Sequence, residues 1–117
     1  MRRRDRAPDP SAGLFVAQVG DRLAGLVCVM LGEPPEIPLF VRRRYAVVED
    51  LVVQGAFRRA GIGRALMERA QRWAVAQGAG SIELSVWEFN QDAIEFYRAL
   101  GYDTVMRRMS KRLHAEP

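Results

Sequence analysis

Two glycines separated by one residue follow a pair of arginines in the segment FRRAGIGRAL, from Phe57 to Leu66. An apolar run precedes this segment and a helical pattern follows it, so the glycines stand where a strand would end and a helix begin. The first amides of a helix lack intrahelical partners and lie at the positive end of its dipole, which favours a bound anion by about 0.3–1 kcal/mol besides the hydrogen bonds. Gly61 and Gly63 have no Cβ, so they would let the backbone approach a phosphate closely. The alternative is an ordinary tight turn between a strand and a helix.

Several other kinds of chemical site are excluded by the residue inventory. The P-loop needs Gly-Lys-Ser or Gly-Lys-Thr, which is absent, and Leu66 occupies the third glycine position of the dinucleotide-binding fingerprint. The only histidine, His114, lies in a polar tail, which excludes histidine zinc sites and Ser-His-Asp triads. The only cysteine, Cys28, cannot form a disulfide within the chain, and its apolar neighbours predict a small buried side chain. We therefore expect no metal site.

The net charge of +4 comes almost entirely from arginine, because Lys111 is the only lysine. Arginines cluster at 42–44, 58–59 and 107–108. Each cluster suits an anionic partner such as a phosphate-bearing cofactor or a nucleic acid, and a solvated basic face explains it equally well. We expect no nucleic acid, because the chain lacks the exposed aromatic side chains that single-strand binders interleave with basic ones.

The sequence has no feature of a membrane or secreted protein. The longest apolar run, from Leu23 to Leu31, is far too short to cross a bilayer. The N-terminal MRRRDRAPDP carries charge without the apolar segment of a secretory signal. We therefore expect a cytoplasmic protein.

The hydrophobic pattern predicts one domain with the element order β-β-β-α-β-α-β. Gly20-Asp21 suits a hairpin turn, and the prolines of GEPPEIP predict a loop. We assign residues 1–13 to a basic, flexible segment, 14–113 to the domain and 114–117 to a tail. The predicted strands are 14–19, 23–31, 45–53, 81–87 and 103–113, and the predicted helices run from 63 to 77 and from the N-cap Asn90 to Gly101.

Two motifs in this frame resemble those of the GNAT-type N-acetyltransferases. The first is the pyrophosphate loop Q/R-x-x-G-x-G/A, which matches Arg58, Gly61 and Gly63 after the strand that contains Glu49-Asp50-Leu51-Val52-Val53. The second is N-x-x-A-x-x-F-Y-x-x-L-G-F/Y, which matches Asn90, Ala93, Phe96-Tyr97 and Leu100-Gly101-Tyr102. The resemblance covers the chain from about Leu14 to its end.

The resemblance implies an α/β (α+β) fold with a mixed, mostly antiparallel sheet flanked by helices. It also implies transfer of an acetyl group from acetyl-CoA to a primary amine of a small molecule or peptide, by direct attack. Similarity to polyamine and diamine acetyltransferases favours a small primary amine.

The chain departs from the family at its start. Members of the family carry a first strand and two helices where this chain has a short basic segment, so we expect an N-terminally shortened fold. Those helices build one wall of the acceptor pocket, so either a partner subunit supplies that wall or the chain is truncated. The alternative function is therefore a non-catalytic acetyl-CoA-binding or regulatory domain, and we expect a homodimer in which the partner completes or covers the acceptor side.

The resemblance also assigns roles to individual residues. Tyr97 would donate a proton to the departing CoA thiolate, with core packing as the alternative, and Glu49 would be the general base, with Asp50 and Glu88 as alternates. The backbone of Leu51, Val52 and Val53 would pair with the pantetheine arm as an added strand. The other cofactor contacts would come from Arg58, Arg59, Gly61, Ile62, Gly63, Arg64 and Ala65 in the loop, and from Asn90, Ala93, Phe96 and Tyr97 along the CoA arm.

Overall fold

The computed structural model of the chain describes residues 2–3, 11–32 and 44–115. They divide at Ser85 and Val86 into two compact units, which we describe in turn. The strands are β1 (Arg2–Arg3), β2 (Ala12–Val19), β3 (Arg22–Gly32), β4 (Tyr45–Val53) and β5 (Ser81–Leu84), and the helices are α1 (Ile62–Ala76) and α2 (Gln91–Ala99), with one 3-10 turn at Gly55–Phe57.

The five strands of the first unit form one sheet in the order β1-β2-β3-β4-β5. All neighbours are antiparallel except β4 and β5, which are parallel. The mixed, mostly antiparallel sheet expected from the sequence is therefore confirmed. Most of the predicted N-terminal segment and all but Gly32 of the predicted proline loop lie outside the described residues.

The core of the first unit lies between this sheet and α1. Alternate residues of β2 and β3 face the helix, and Phe15, Val27 and Val29 are fully buried. The apolar face of α1 fills the other side of the core with Leu66, Met67, Ala70, Trp73 and Ala74. Each of the larger buried side chains contributes about 1.5–3 kcal/mol by leaving water. The sequence predicted a buried side chain for Cys28, and in the structure this residue of β3 is only half-buried.

The turns at the ends of these elements follow the sequence signals. Gly20, in the hairpin turn between β2 and β3, has a φ of 61°, a conformation that glycine adopts without a steric penalty. Gly78 ends α1 with a φ of 83°, and the guanidinium of Arg44 donates to the carbonyl of Gln77 at 3.1 Å. The other two arginines of the 42–44 cluster lie outside the described residues.

The second unit contains α2 and the segment that follows it. The Asn90 side chain caps the helix by accepting a hydrogen bond from the Ala93 amide at 3.2 Å. Gly101, with a φ of 98°, ends it, as predicted. Among the described residues, no helix is long and apolar enough to span a membrane.

The predicted strand 103–113 is wrong. Residues 103–115 form no strand and make no backbone hydrogen bond with another described residue. A strand needs a neighbouring strand for its backbone groups, and the described part of the second unit contains none. The segment leaves four large apolar side chains 78–86% exposed, those of Val105, Met106, Met109 and Leu113.

Candidate active site

A β-bulge in β4 separates two differently paired halves of that strand. Cys28 of β3 pairs with Asp50 and Val29 pairs with Val48, so Glu49 has no partner residue on β3. On the other edge, the pairing with β5 stops at Val48 and Leu84. The predicted strand 81–87 is therefore too long, because β4 turns away from β5 at the bulge.

The end of β4 consequently offers a free backbone edge. Leu51, Val52 and Val53 pair with Val27, Leu26 and Gly25 of β3, and no strand of the described chain pairs with their other edge. An extended ligand with amide groups could add to this edge as a further strand. The three residues that sequence analysis assigned to the pantetheine arm occupy this position.

Gly25 sets how closely β3 approaches this part of β4. A Cβ at Gly25 would lie 2.6 Å from the carbonyl oxygen of Val52 and 3.2 Å from Cδ1 of Leu66. Real Cβ atoms do not come that close to backbone, so glycine allows β3, β4 and α1 to meet here.

A short anchored turn leads from β4 to the glycine loop. The Gln54 amide donates to the carbonyl of Ala24 at 2.8 Å, and the 3-10 turn closes with the Phe57 amide on the Gln54 carbonyl at 2.9 Å. The Arg22 guanidinium lies over the Phe57 ring, 5.1 Å from its centroid. Nε of Arg58 donates to the Val53 carbonyl at 3.4 Å, so this arginine is held beside the end of β4.

The loop itself contains two residues in the left-handed region. Arg59 has a φ of 64° and Gly61, the N-cap of α1, has a φ of 79°. The first of these is unusual for a residue with a side chain. Such a turn directs successive backbone amides into a concave anion-binding arrangement.

The first turn of α1 supplies unpaired donors. No side chain caps the helix and its first turn has no acidic residue. The amide of Ala65 makes the first intrahelical bond, to the Gly61 carbonyl at 3.0 Å, so the amides of Ile62, Gly63 and Arg64 have no acceptor within the helix. With two arginines beside them, these donors fit a phosphate group. Arg64 itself pairs with Glu68 at 3.3 Å.

Glu49 and Asp50 are both exposed at the bulge. Neither carboxylate makes an ion pair or hydrogen bond to another described side chain. The bulge places Glu49 out of register just where β4 leaves β5, and bulges commonly re-aim a side chain in this way. The sequence carries a signal of this break, since two consecutive charged residues interrupt the apolar run YAVVEDLVV.

Tyr97 is a half-buried phenol in the second unit. Its ring packs edge-on against Phe96, with centroids 5.2 Å apart, and against Tyr102, with centroids 5.8 Å apart. Burial raises the pKa of Tyr97 above the usual tyrosine value, and the nearby Tyr102 raises it further. The phenol therefore keeps its proton at neutral pH and can act as a proton donor.

The site residues predicted from the sequence form two sets. Glu49, Leu51–Val53 and the loop from Arg58 to Ala65 are brought together at the end of β4 and the start of α1 in the first unit. The other four, on or next to α2 in the second unit, are Asn90, Ala93, Phe96 and Tyr97. In this second set the Asn90 side-chain oxygen is already used by the Ala93 amide.

An aromatic pair next to α2 was not among the residues predicted from the sequence. The rings of Trp87 and Phe89 are stacked, and the two residues are 75% and 80% exposed. The sequence analysis expected no exposed aromatic side chains interleaved with basic ones, and these two exposed rings stand on either side of an acidic residue, Glu88. Their i, i+2 spacing beside a helix N-cap was the available signal.

Among residues 2–3, 11–32 and 44–115, no group of three or more His, Cys, Asp or Glu side chains is placed to hold a metal ion.

Comparison with known proteins gives a consistent result. The model of the family described as "Acetyltransferase (GNAT) family" matches residues 1–102. The chain is 34% identical over 91 residues to an uncharacterized N-acetyltransferase, MJ1207, of Methanocaldococcus jannaschii, covering 78% of this chain and 39% of that protein. It is 33% identical over 67 residues to the L-ornithine N5-acetyltransferase NATA1 of Arabidopsis thaliana, covering 57% of this chain and 29% of that protein. The chain thus spans less than half the length of both curated relatives.

A solved structure shares the fold. The crystal structure of a mutant of the BH1408 protein from Bacillus halodurans superimposes with a TM-score of 0.83 at 27% sequence identity. The match covers 89% of this chain and 67% of that chain.

Proposed function

Because the chain belongs to the acetyltransferase (GNAT) family, we propose that it transfers an acetyl group from acetyl-CoA to a primary amine of a small molecule or peptide. The observation that carries this proposal is the loop between β4 and α1. Left-handed Arg59 and Gly61 precede three helix amides that have no acceptor within α1. This is a site for a phosphate group beside a free strand edge, as a CoA ester requires.

Residues of both units would contact acetyl-CoA, and two parts of the first unit would provide most of the hydrogen bonds. The amides of Ile62, Gly63 and Arg64 would hold the pyrophosphate, with Arg58 and Arg59 supplying positive charge. The free edge of Leu51–Val53 would hydrogen-bond the amides of the pantetheine arm. Asn90, Ala93 and Phe96 would contact the arm through the backbone and apolar surface around α2, because the Asn90 oxygen caps the helix.

The chemistry requires one proton acceptor and one proton donor. The neutral amine attacks the thioester carbonyl, a C–N bond forms, and the C–S bond breaks to release the CoA thiolate. Glu49 would accept the proton that the amine loses, directly or through water, with Asp50 and Glu88 as alternates. Tyr97 would protonate the thiolate, because its raised pKa keeps the phenol in the protonated form at neutral pH.

The acceptor is proposed to be a small primary amine. The relative NATA1 is named as an ornithine N5-acetyltransferase, which supports this class of acceptor. The sequence motifs that resemble polyamine and diamine acetyltransferases support it as well.

We place the protein in the cytoplasm as a homodimer. The C-terminal segment leaves Val105, Met106, Met109 and Leu113 exposed, which is unfavourable unless another surface covers them. The outer edge of β5 in a second copy would supply the backbone hydrogen bonds that the segment does not make with described residues. In a two-fold symmetric dimer, each copy would cover the exposed side chains of the other and pair with its backbone.

The experiment that tests the function measures binding and turnover separately. Calorimetry measures the affinity for acetyl-CoA, and a thiol-release assay measures turnover with a panel of primary amines. Binding together with amine-dependent thiol release supports the proposal. Binding without thiol release for any amine would replace it with the non-catalytic alternative, and absence of both would contradict the cofactor site.

A further inference from the structure

The aromatic pair next to α2 forms an open apolar platform. The ring centroids of Trp87 and Phe89 are 5.9 Å apart and the ring planes make an angle of 21°. Both side chains are exposed although aromatic rings of this size gain most from burial. The two stacked, solvent-facing rings are therefore not part of the core, and they have no role in the mechanism proposed above.

The backbone beneath the rings is held by hydrogen bonds. The amide of Asn90 donates to the Trp87 carbonyl at 2.9 Å, and the amide of Gln91 donates to the Phe89 carbonyl at 3.1 Å. Nε2 of Gln91 donates to the Glu88 carbonyl at 2.9 Å. The platform is thus fixed to the N-terminus of the helix that carries Tyr97.

In the sequence, the acidic residue Glu88 stands between the two aromatic residues. Glu88 has an 80% exposed side chain, and its Oε1 is 3.9 Å from Nη2 of Arg107, whose side chain is 70% exposed. An exposed pair at this distance is worth at most about 1 kcal/mol. A ligand cation that also contacts the rings could therefore replace Arg107 as the partner of Glu88.

We propose that Trp87, Glu88 and Phe89 recognise a second cationic group on the acceptor amine, an inference that rests on the proposed function. Ammonium and guanidinium groups bind aromatic faces, and an adjacent carboxylate neutralises their charge. The reacting amine must be neutral while the recognised group stays charged, so the preferred acceptor carries two basic groups. Tyr97 lies seven residues after Asn90, about 10 Å along the helix, a span that an extended diamine can cover.

Tryptophan fluorescence provides a direct binding test that needs no turnover. The chain has two tryptophans, and because Trp73 is 6% exposed and Trp87 is 75% exposed, a ligand in solution would act mainly on the emission of Trp87. We expect saturable changes in emission when α,ω-diaminoalkanes are added to the protein with CoA, and much weaker changes with n-alkylamines of the same length. Trp87→Phe should abolish the change. The same response to both ligand series, or no response, would overturn the proposal.

Two variants that remove a charge test the sign of the charge on the ligand. Glu88→Gln should weaken diamine binding about two- to five-fold, the scale of a single exposed contact, and Arg107→Ala should tighten it because a competing cation is removed. Weaker binding in Arg107→Ala would indicate an anionic ligand and contradict the inference. If Trp87→Ala or Phe89→Ala weakened diamine binding while Glu88→Gln and Arg107→Ala had no effect, the rings would bind an uncharged part of the ligand. That result would also contradict the inference.

Kinetics separates this inference from the proposed function. Trp87→Ala and Phe89→Ala should each lower the preference for a diamine over the matched monoamine, measured as the ratio of kcat/KM values, by about two- to five-fold. Val75→Ala, at a 73% exposed position of α1, is the control and should leave the ratio unchanged. Diamine binding without turnover would refute the proposed function and leave the platform standing. Turnover with an unaltered ratio in both ring variants would refute the platform alone.

Discussion

The ring of Tyr102 packs edge-on against the ring of Tyr97, with 5.8 Å between centroids and 67° between planes. The backbone fixes this contact, because the Tyr102 amide donates to the Tyr97 carbonyl at 3.0 Å and the Gly101 amide donates to the Arg98 carbonyl at 3.0 Å. Left-handed Gly101 makes this helix ending possible. The Leu-Gly-Tyr that ends α2 therefore also builds the environment of the phenol.

Tyr97→Phe should separate catalysis from packing. The change removes only the phenolic O–H and keeps the ring against Phe96 and Tyr102. We expect turnover to fall about 100-fold, the scale of a lost general acid, with acetyl-CoA affinity within a few-fold of wild type. Single-turnover kinetics and calorimetry measure the two quantities. Unchanged turnover would show that Tyr97 is a packing residue and that the thiolate leaves without its help.

The pH dependence of turnover should reflect the raised pKa of Tyr97. An acid whose pKa is raised keeps its proton to higher pH, so the donor form persists beyond the ordinary tyrosine value of about 10. We expect no fall in kcat between pH 7 and about 10 that depends on Tyr97. A descending limb in this range in wild type, absent in Tyr97→Phe, would contradict the assignment.

The parts of the fold that local sequence determines were predictable. Apolar runs bounded by turn and proline signals located β2, β3 and β4, and the ends of α2 followed from Asn90 and Gly101. The end of β5 depends on a bulge in a different strand, and a strand at 103–113 depends on a partner edge. Both are non-local properties that a single segment of sequence does not encode.

Part of the backbone geometry at the candidate site was predictable in the same way. The spacing of Gly61 and Gly63 indicated backbone amides at a helix start, and the structure provides them. The left-handed Arg59 was not predictable, because residues with side chains rarely adopt this conformation. The stacking of Trp87 on Phe89 depends on the hydrogen bonds of the intervening turn, which spacing alone does not reveal.

Gly63→Glu should abolish acetyl-CoA binding while the protein stays folded. A carboxylate in the first turn of α1 suits the helix dipole, so we expect no loss of stability. The same charge would occupy and repel the pyrophosphate position. Gly61 is a poorer target because its φ of 79° strains any other residue. Val75→Glu is the control, because it adds the same charge at an exposed position further along α1. This variant should bind acetyl-CoA with the affinity of the wild type. Calorimetry that finds equal affinity in the two variants would rule out this loop.

Gly25→Ala should disturb the free edge of β4. Its Cβ would lie 2.6 Å from the Val52 carbonyl oxygen, so β3 and β4 must shift. We expect the free energy of unfolding to fall by about 1–3 kcal/mol, as for overpacked cores, and acetyl-CoA affinity to fall with it. Gly55→Ala is the matched control, since nothing lies within 4 Å of its Cβ position. Equal denaturation midpoints and affinities for both variants would show that the close approach is not required.

The C-terminal segment should hold two copies of the chain together. Residues 103–115 make no backbone hydrogen bond with another described residue, and the exposed Met106 and Met109 are next to basic residues in the sequence. We expect light scattering at micromolar concentration to give a dimer, since a second copy would bury these side chains and pair their backbone. Met106→Ser with Met109→Ser should shift the equilibrium towards monomer, because each methionine would lose about 1.5–3 kcal/mol of burial. Val75→Ser, which removes an exposed apolar side chain from α1, should remain dimeric. A well-folded, non-aggregating monomer of the wild-type chain would show that this surface needs no second copy.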